Sequence, residues 1–228
     1  MLDQAFEALE TYDWGVDPKV LQAIEDAIIS NPADAAKLEA RMIAVLGSPA
    51  PVAAKDAVCR MLRTIGSTAS VPALAALLAD EKLFHMACYA MERMPAQEAG
   101  QAMRTALPRA AGKQKIGLIG ALGVRGEADS VEPLRSLLAA GDPTIATAAA
   151  LALGEIGSLA AAEALVAAEA NAGAKLAIGD ASLACAEKLL ASGNKSAAKA
   201  IYEKLLSSDP AKQVQVAATS GLLACASK

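Results

Sequence analysis

Aromatic side chains are scarce in this sequence. Its 228 residues include two Phe, three Tyr and one Trp. With few β-branched residues to help, that is too little to furnish the half-buried faces of a sheet. Histidine is scarcer still. His85 is the only one, which argues against a histidine-built metal centre and leaves imidazole chemistry a single candidate. The four cysteines, Cys59, Cys88, Cys185 and Cys225, form no CxxC spacing, so the common zinc and redox arrangements are absent. No apolar run reaches the ~18–20 residues of a membrane span; the Ala/Leu-rich stretch Thr147–Leu153 is short and is closed by Glu155. The opening Met1-Leu-Asp-Gln-Ala-Phe-Glu7 is acidic and does not read as a signal peptide. Compartment stays open between the cytoplasm and, for a section cut from a larger precursor, an exported or periplasmic setting. The net charge of −4 speaks against a polyanion partner, so nucleic acid is not expected.

What the chain does have is alanine. It is 54% hydrophobic, and much of that is the best helix-forming residue, which also lets helices approach closely. The predicted class is all-α. Charge is uneven: residues 1–54 carry nine acids and three bases, whereas 55–135 carry eight acids and eleven bases. Ordinary solvated helix faces account for such a bias.

The organising pattern is a repeat. Gly66 ends an apolar segment and precedes a short polar turn, and similar marks fall at Pro95, Gly126 and Gly157, at intervals of 29, 31 and 31 residues, with a looser one at Gly193. Four residues before the first four marks stand Leu62, Met91, Leu122 and Leu153. Eight residues after the five marks stand Leu74, Met103, Leu134, Leu165 and Ile201. A helix–turn–helix recurring at this period specifies a solenoid. Helices are expected at 52–65, 70–79, 82–94, 96–107, 113–123, 129–140, 143–156, 159–171, 175–191, 194–206 and 210–225, with Asp17-Pro18, Asp142-Pro143 and Asp209-Pro210 as start signals. Two further helices, around Val20–Ile28 and Leu38–Leu46, form a diverged first unit. Trp14 is expected to cover the apolar end of the stack. At the other end Val214, Val216, Leu222 and Leu223 read as an uncapped apolar surface, suited to a homodimer or to further repeats. The glycines of Lys115-Ile-Gly-Leu-Ile-Gly-Ala-Leu-Gly123 each cost a helix roughly 1 kcal/mol against alanine. Close helix–helix packing is the favoured reason, and approach to a ligand the alternative. Cys59 and Cys88 occupy the same position in adjacent repeats, which separates them by roughly 8–10 Å and makes them core residues, not a disulfide.

The segments Cys59-Arg-Met-Leu-Arg-Thr-Ile-Gly-Ser-Thr-Ala-Ser-Val-Pro-Ala-Leu74 and Ala148-Ala-Ala-Leu-Ala-Leu-Gly-Glu-Ile-Gly157 resemble HEAT repeats, above all the short PBS-lyase HEAT-like kind. The run Leu83–Pro95 is similar to a unit in HEAT-repeat proteins of planctomycete-type bacteria, which are often large, exported and multidomain. The tail from Gly193 to Pro210 loosely resembles a tetratricopeptide repeat. The HEAT resemblance implies a right-handed α-α superhelix of about six to seven hairpins: one solenoid over 1–228, with a diverged cap at 1–51, regular repeats at 52–170 and diverged repeats at 171–228. It also implies that the helix before each mark lines the concave face. The outward positions there are Asp56, Arg60 and Arg63, then His85, Tyr89, Glu92 and Arg93, then Gly117, Gly120, Arg125, Thr147, Leu151 and Glu155.

From these, the candidate binding set is Asp56, Arg60, Arg63, His85, Tyr89, Glu92, Arg93 and Arg125. His85 and Tyr89 share a face by i,i+4 spacing. With the arginines one repeat away they suit a carboxylate, a phosphate or a peptide, and equally a hydrogen-bonded ladder in which Glu92 and Asp56 are the ion partners. A Cys88–His85 catalytic pair is disfavoured, because Cys88 aligns with a core position and no third orienting group is present. Met86 after His85 departs from the His-Glu pairs of HEAT-like di-iron hydroxylases. No catalytic residue, metal or cofactor is assigned. The expected function is a non-catalytic scaffold binding a protein or peptide along the concave face. The alternatives are a spacer in a larger exported protein and a bilin-lyase-like cofactor carrier.

Overall fold

Alanine-rich segments punctuated by Asp-Pro and glycine form helices throughout. The computed structural model describes residues 1–168, 173–208 and 210–226, and no strand occurs among them. It divides into two units, Met1–Arg109 and Ala110–Lys228. The first holds α1 (Leu2–Glu10), α2 (Gln22–Ser30), α3 (Ala35–Gly47), α4 (Val52–Ile65), α5 (Val71–Ala76), α6 (Phe84–Met91) and α7 (Gln97–Ala106). The second holds α8 (Gly112–Arg125), α9 (Val131–Leu138), α10 (Pro143–Ile156), α11 (Leu159–Ala167), α12 (Lys175–Ala191), α13 (Lys195–Ser207) and α14 (Lys212–Ala226).

Within each unit most helices pack on a chain neighbour and on the helix two places along. In the first unit the odd row runs α3–α5–α7, and α4 lies against α6. In the second, α8–α10–α12–α14 form one row and α9–α11–α13 the other. This pairing is that of a HEAT-like helical solenoid. The residues four before each mark, Leu62, Met91, Leu122 and Leu153, are fully buried, as are Leu74, Met103, Leu134 and Leu165 eight after.

Helix ends follow the sequence signals. Asp142 accepts a hydrogen bond from the Thr144 amide at 2.8 Å, with Pro143 in the first turn of α10. Asp17 caps in the same way, accepting from the Lys19 amide, but opens a 3-10 turn over Pro18–Leu21 before α2 begins. Asp209 of the third expected signal, and residues 169–171 of the helix expected to 171, lie outside the described residues. At the C-termini of α8 and α10, Gly126 and Gly157 adopt φ of 68° and 63°, the left-handed cap that favours glycine. Gly66 instead has φ −61°. There a Cβ would collide with the Leu62 carbonyl oxygen and with Met94, so space excludes a side chain.

The second unit is drawn together by glycine at helix crossings. A Cβ at Gly123 of α8 would stand 2.8 Å from Ala152 Cα of α10, and one at Gly154 of α10 would stand 3.1 Å from Ala181 Cα of α12. Of the expected glycine triplet, Gly123 is therefore a packing residue. Gly120 is not: it is exposed, and a Cβ there would meet nothing within 4 Å.

Polar side chains reach from one repeat to the next, as at Lys188 and Glu39. Lys188 of α12 lays its stem over Gly157 and donates its ammonium to the carbonyls of Gly154 (3.0 Å) and Glu155 (2.7 Å) at the end of α10. In the first unit Glu39 of α3, though buried, accepts from the Ser67 amide at 2.7 Å and from the hydroxyls of Ser67 and Ser70 at the start of α5. Burial pushes the Glu39 carboxyl up, but the hydrogen bonds from Ser70 and Ser67 together outweigh it and hold it below the usual carboxylate range.

Two expectations about the ends change. Trp14 does not cover an apolar end. It sits in the turn after α1 and is 67% exposed, while Ala5, Phe6 and Leu9 of α1 are the buried residues. The amphipathic spacing missed this because a connection over residues 11–17, in which the Trp14 amide donates to the Asp13 carboxylate, intervenes before the next helical turn. Val20, which lies in the 3-10 turn before α2, is also exposed, whereas Leu21 and Ile24 are buried. At α14, Val214 is buried, whereas Val216 and Leu223 are exposed.

Candidate functional site

Five of the eight candidate binding residues meet between α4 and α6 through two short networks. On α4, Asp56 and Arg60 pair across one turn, Arg60 Nε donating to Asp56 Oδ2 at 2.9 Å. Asp56 is the more enclosed partner, while the Arg60 side chain is 62% exposed. The hydrogen bond from Arg60 to Asp56, then the charge of Asp56 itself, hold the guanidinium above its ordinary pKa, and nearby Tyr89 adds to the effect.

The second network crosses the seam. Arg63 of α4 lies over the Tyr89 ring of α6 at 3.9 Å from its centroid, a cation–π contact. Its Nη1 donates to the Tyr89 carbonyl at 3.0 Å and to Glu92 Oε1 at 2.7 Å. The guanidinium therefore caps the C-terminal end of α6, where a cation is favoured by the helix dipole. Arg63 and Glu92 are both about three-quarters shielded from solvent. His85 and Arg93 are exposed, at the start of α6 and just past its end.

Arg125 belongs to the second unit. Its side chain is almost fully enclosed (5% exposed) and ion-paired with Glu127, to which Nε donates at 2.7 Å. Of the other outward positions there, Leu151, Glu155 and Gly120 are exposed and Thr147 and Gly117 partly so.

The three buried thiols are poor nucleophiles. Burial, with the nearby charge of Glu92, pushes Cys88 up to about 12. Burial likewise raises Cys59 to about 12 and Cys185 to about 11. Cys88 is in the core and His85 faces solvent, so the two do not form an activated thiol–imidazole pair. Among the described residues no group of His, Cys, Asp or Glu could hold a metal ion, and no helix is long and apolar enough to cross a membrane.

Residues 112–181 match the family model described as HEAT repeats. The match runs from α8 into α12, the part of the second unit in which the glycine crossings repeat, and it ends at Ala181, the partner of Gly154. HEAT repeats generally mediate protein–protein interaction or scaffolding. No curated protein matches the chain.

One feature of the first unit was not foreseen in the sequence. A groove of about 440 Å³ runs beside α1 and α3, lined by Phe6, Glu10, Arg41, Val45 and Ser48 among others. Arg41 lies 3.8 Å over the Phe6 ring and bonds Asp3 at 2.7 Å. These residues belong to the diverged N-terminal segment, where the repeat register gives no guide to facing positions.

Proposed function

We propose that this chain is a non-catalytic interaction module whose α4–α6 face receives a segment of a partner protein. The observation that carries this reading is the Arg63–Tyr89–Glu92 network. It fixes a guanidinium and an aromatic ring at a helix seam beside the exposed Arg60, His85 and Arg93. Arg and Tyr are among the residues most enriched at binding hot spots, and a surface already held in place loses less entropy on association. HEAT repeats as a class serve such roles, which supports the assignment without naming a partner. Capture experiments with the tagged full chain test it. Arg60→Ala and Tyr89→Ala should keep the helical circular-dichroism spectrum and lose a bound protein that the parent retains. Equal capture by parent and both variants rejects the face.

A second reading concerns α14. Val216 and Leu223, the latter 69% exposed, lie two helical turns apart on one side of this helix. That surface supports contact with another copy of the chain or with further helical repeats. Light scattering over a concentration series tests the first option, and a mass that stays monomeric at high concentration counts against it.

A further inference from the structure

Three residues before the mark, the repeat has a slot at the seam between helices two places apart. In the second unit the slot holds Gly123 and Gly154, set against Ala152 of α10 and Ala181 of α12, each two helices further along. In the first unit the same slot holds Arg63 and Glu92. Small residues are thus the packing solution that this chain itself uses, and the α4–α6 seam departs from it. A partly enclosed ion pair is a weak substitute as a stability device, because desolvation offsets much of the Coulomb gain. What it supplies is a guanidinium in a fixed position.

That guanidinium is only partly used. Arg63 bonds Tyr89 and Glu92 through Nη1, and no hydrogen bond within the described residues engages its Nε or Nη2. Arg60 is tied to Asp56 through Nε, and both its Nη groups are likewise unengaged. Tyr89 is the common neighbour: its ring lies under Arg63, and its phenol is close enough to Arg60 to act on that group's charge. The two acids of the site, Asp56 and Glu92, are already committed to these arginines. The remaining donors, with exposed Arg93 nearby, present a cationic edge in a unit whose first 54 residues are strongly acidic.

We infer that Arg60 and Arg63 form a carboxylate clamp at the edge of Tyr89, and that the segment it takes is an acidic peptide whose Asp or Glu side chain the unengaged N–H groups receive. The inference rests on the α4–α6 face being the recognition surface. A planar guanidinium matches the two oxygens of a carboxylate in a way that an ammonium does not, and the Asp56 and Glu92 bonds hold both forks before a ligand arrives. Each acid here is already ion-paired with an arginine, which weakens its pull on a basic peptide.

The test is selection of a random-peptide display library on the immobilised full chain, followed by fluorescence-anisotropy titration of synthetic winners. The expected winners are rich in Asp and Glu. They lose about tenfold in affinity when their key acid becomes Asn or Gln, and about tenfold against Arg60→Gln, with no further loss when both changes are combined. Arg60→Gln is the main variant because Arg60 is largely exposed and its loss leaves the seam intact; circular dichroism checks this. Winners that lack acids yet weaken on Tyr89→Ala would overturn the clamp and retain the face. Acidic winners indifferent to Arg60→Gln, or winners displaced equally well by inorganic phosphate at matched ionic strength, would overturn the clamp. Winners indifferent to both variants would remove the face as well.

Discussion

Two glycines three residues apart on α8 should respond in opposite directions to the same substitution. Replacing glycine by alanine inside a helix gains roughly 0.5–1 kcal/mol, largely by restricting the unfolded chain. At Gly120 nothing lies within 4 Å of the new methyl, so Gly120→Ala should keep that gain. At Gly123 the methyl would stand 2.8 Å from Ala152 Cα, 2.9 Å from its Cβ and 3.1 Å from its carbonyl oxygen. Backbone atoms cannot rotate away, so α8 and α10 must part. Overpacking of this kind costs about 1–3 kcal/mol, and after the intrinsic gain the net loss is about 0.5–2 kcal/mol. The difference between the two variants, about 1–3 kcal/mol, is the firmer quantity, because the unfolded-state contribution is common to both. Urea titration followed by far-ultraviolet circular dichroism measures it. Fluorescence is a poor choice, since the single tryptophan, Trp14, is exposed and lies in the other unit. A Gly123→Ala midpoint equal to or above that of Gly120→Ala would show that the α8–α10 crossing is not limited by this contact.

Other consequences are open to measurement. Glu39→Gln leaves the Ser67 and Ser70 donors with a weaker acceptor and should cost about 1–3 kcal/mol; a urea midpoint within error of the parent would contradict the role given to this carboxylate. Because the folded-state pKa of Glu39 is depressed, its contribution is present above the unfolded value near 4.5 and is lost as pH falls through the lower folded value; parent stability should fall with acid more steeply than that of Glu39→Gln. A thiol reagent at mildly alkaline pH should modify Cys225, which is only partly covered, well before Cys59, Cys88 and Cys185, whose thiols are raised to about 12, 12 and 11. Fast reaction of two or more thiols in the folded chain would refute that burial. Asp142→Ala should cost about 1 kcal/mol through loss of the α10 cap, read as a lower urea midpoint, while Asp142→Asn should keep most of it.

Helix positions were legible where composition and punctuation agreed. The boundaries 52–65, 143–156 and 175–191 coincide with α4, α10 and α12, since each segment combines an apolar helical period with a clear stop. Where a segment opens or closes on a 3-10 turn, as at Thr68–Ser70 and Leu77–Ala79 around α5, periodicity alone returned one longer helix. The register also put Arg63 and Glu92 in equivalent positions one repeat apart, and that equivalence is why they meet. It could not tell that Arg63 would stack on Tyr89, because stacking depends on the rotamer and not on the register. Nor could it foresee that Arg125, the last residue of α8, would turn back into a close pair with Glu127. Glu39 escaped notice for a related reason. An acid within an amphipathic helix reads as solvent-facing, and its serine partners lie about one repeat further along the chain.

Glu39 and Lys188 share a property that bears on how the array holds together. Each finishes a helix end that belongs to a neighbouring repeat: Glu39 accepts from the turn that opens α5, and Lys188 donates to the carbonyls that close α10. A repeat of this kind is not self-sufficient. Without the adjoining repeat these amides, hydroxyls and carbonyls would lack their partners, so a borrowed cap counts toward the interface between repeats and not toward either repeat alone. In a linear array the ratio of interface to intrinsic stability sets how far unfolding spreads from any one point. Caps lent across repeats raise that ratio, and neighbouring helices then melt together instead of one by one.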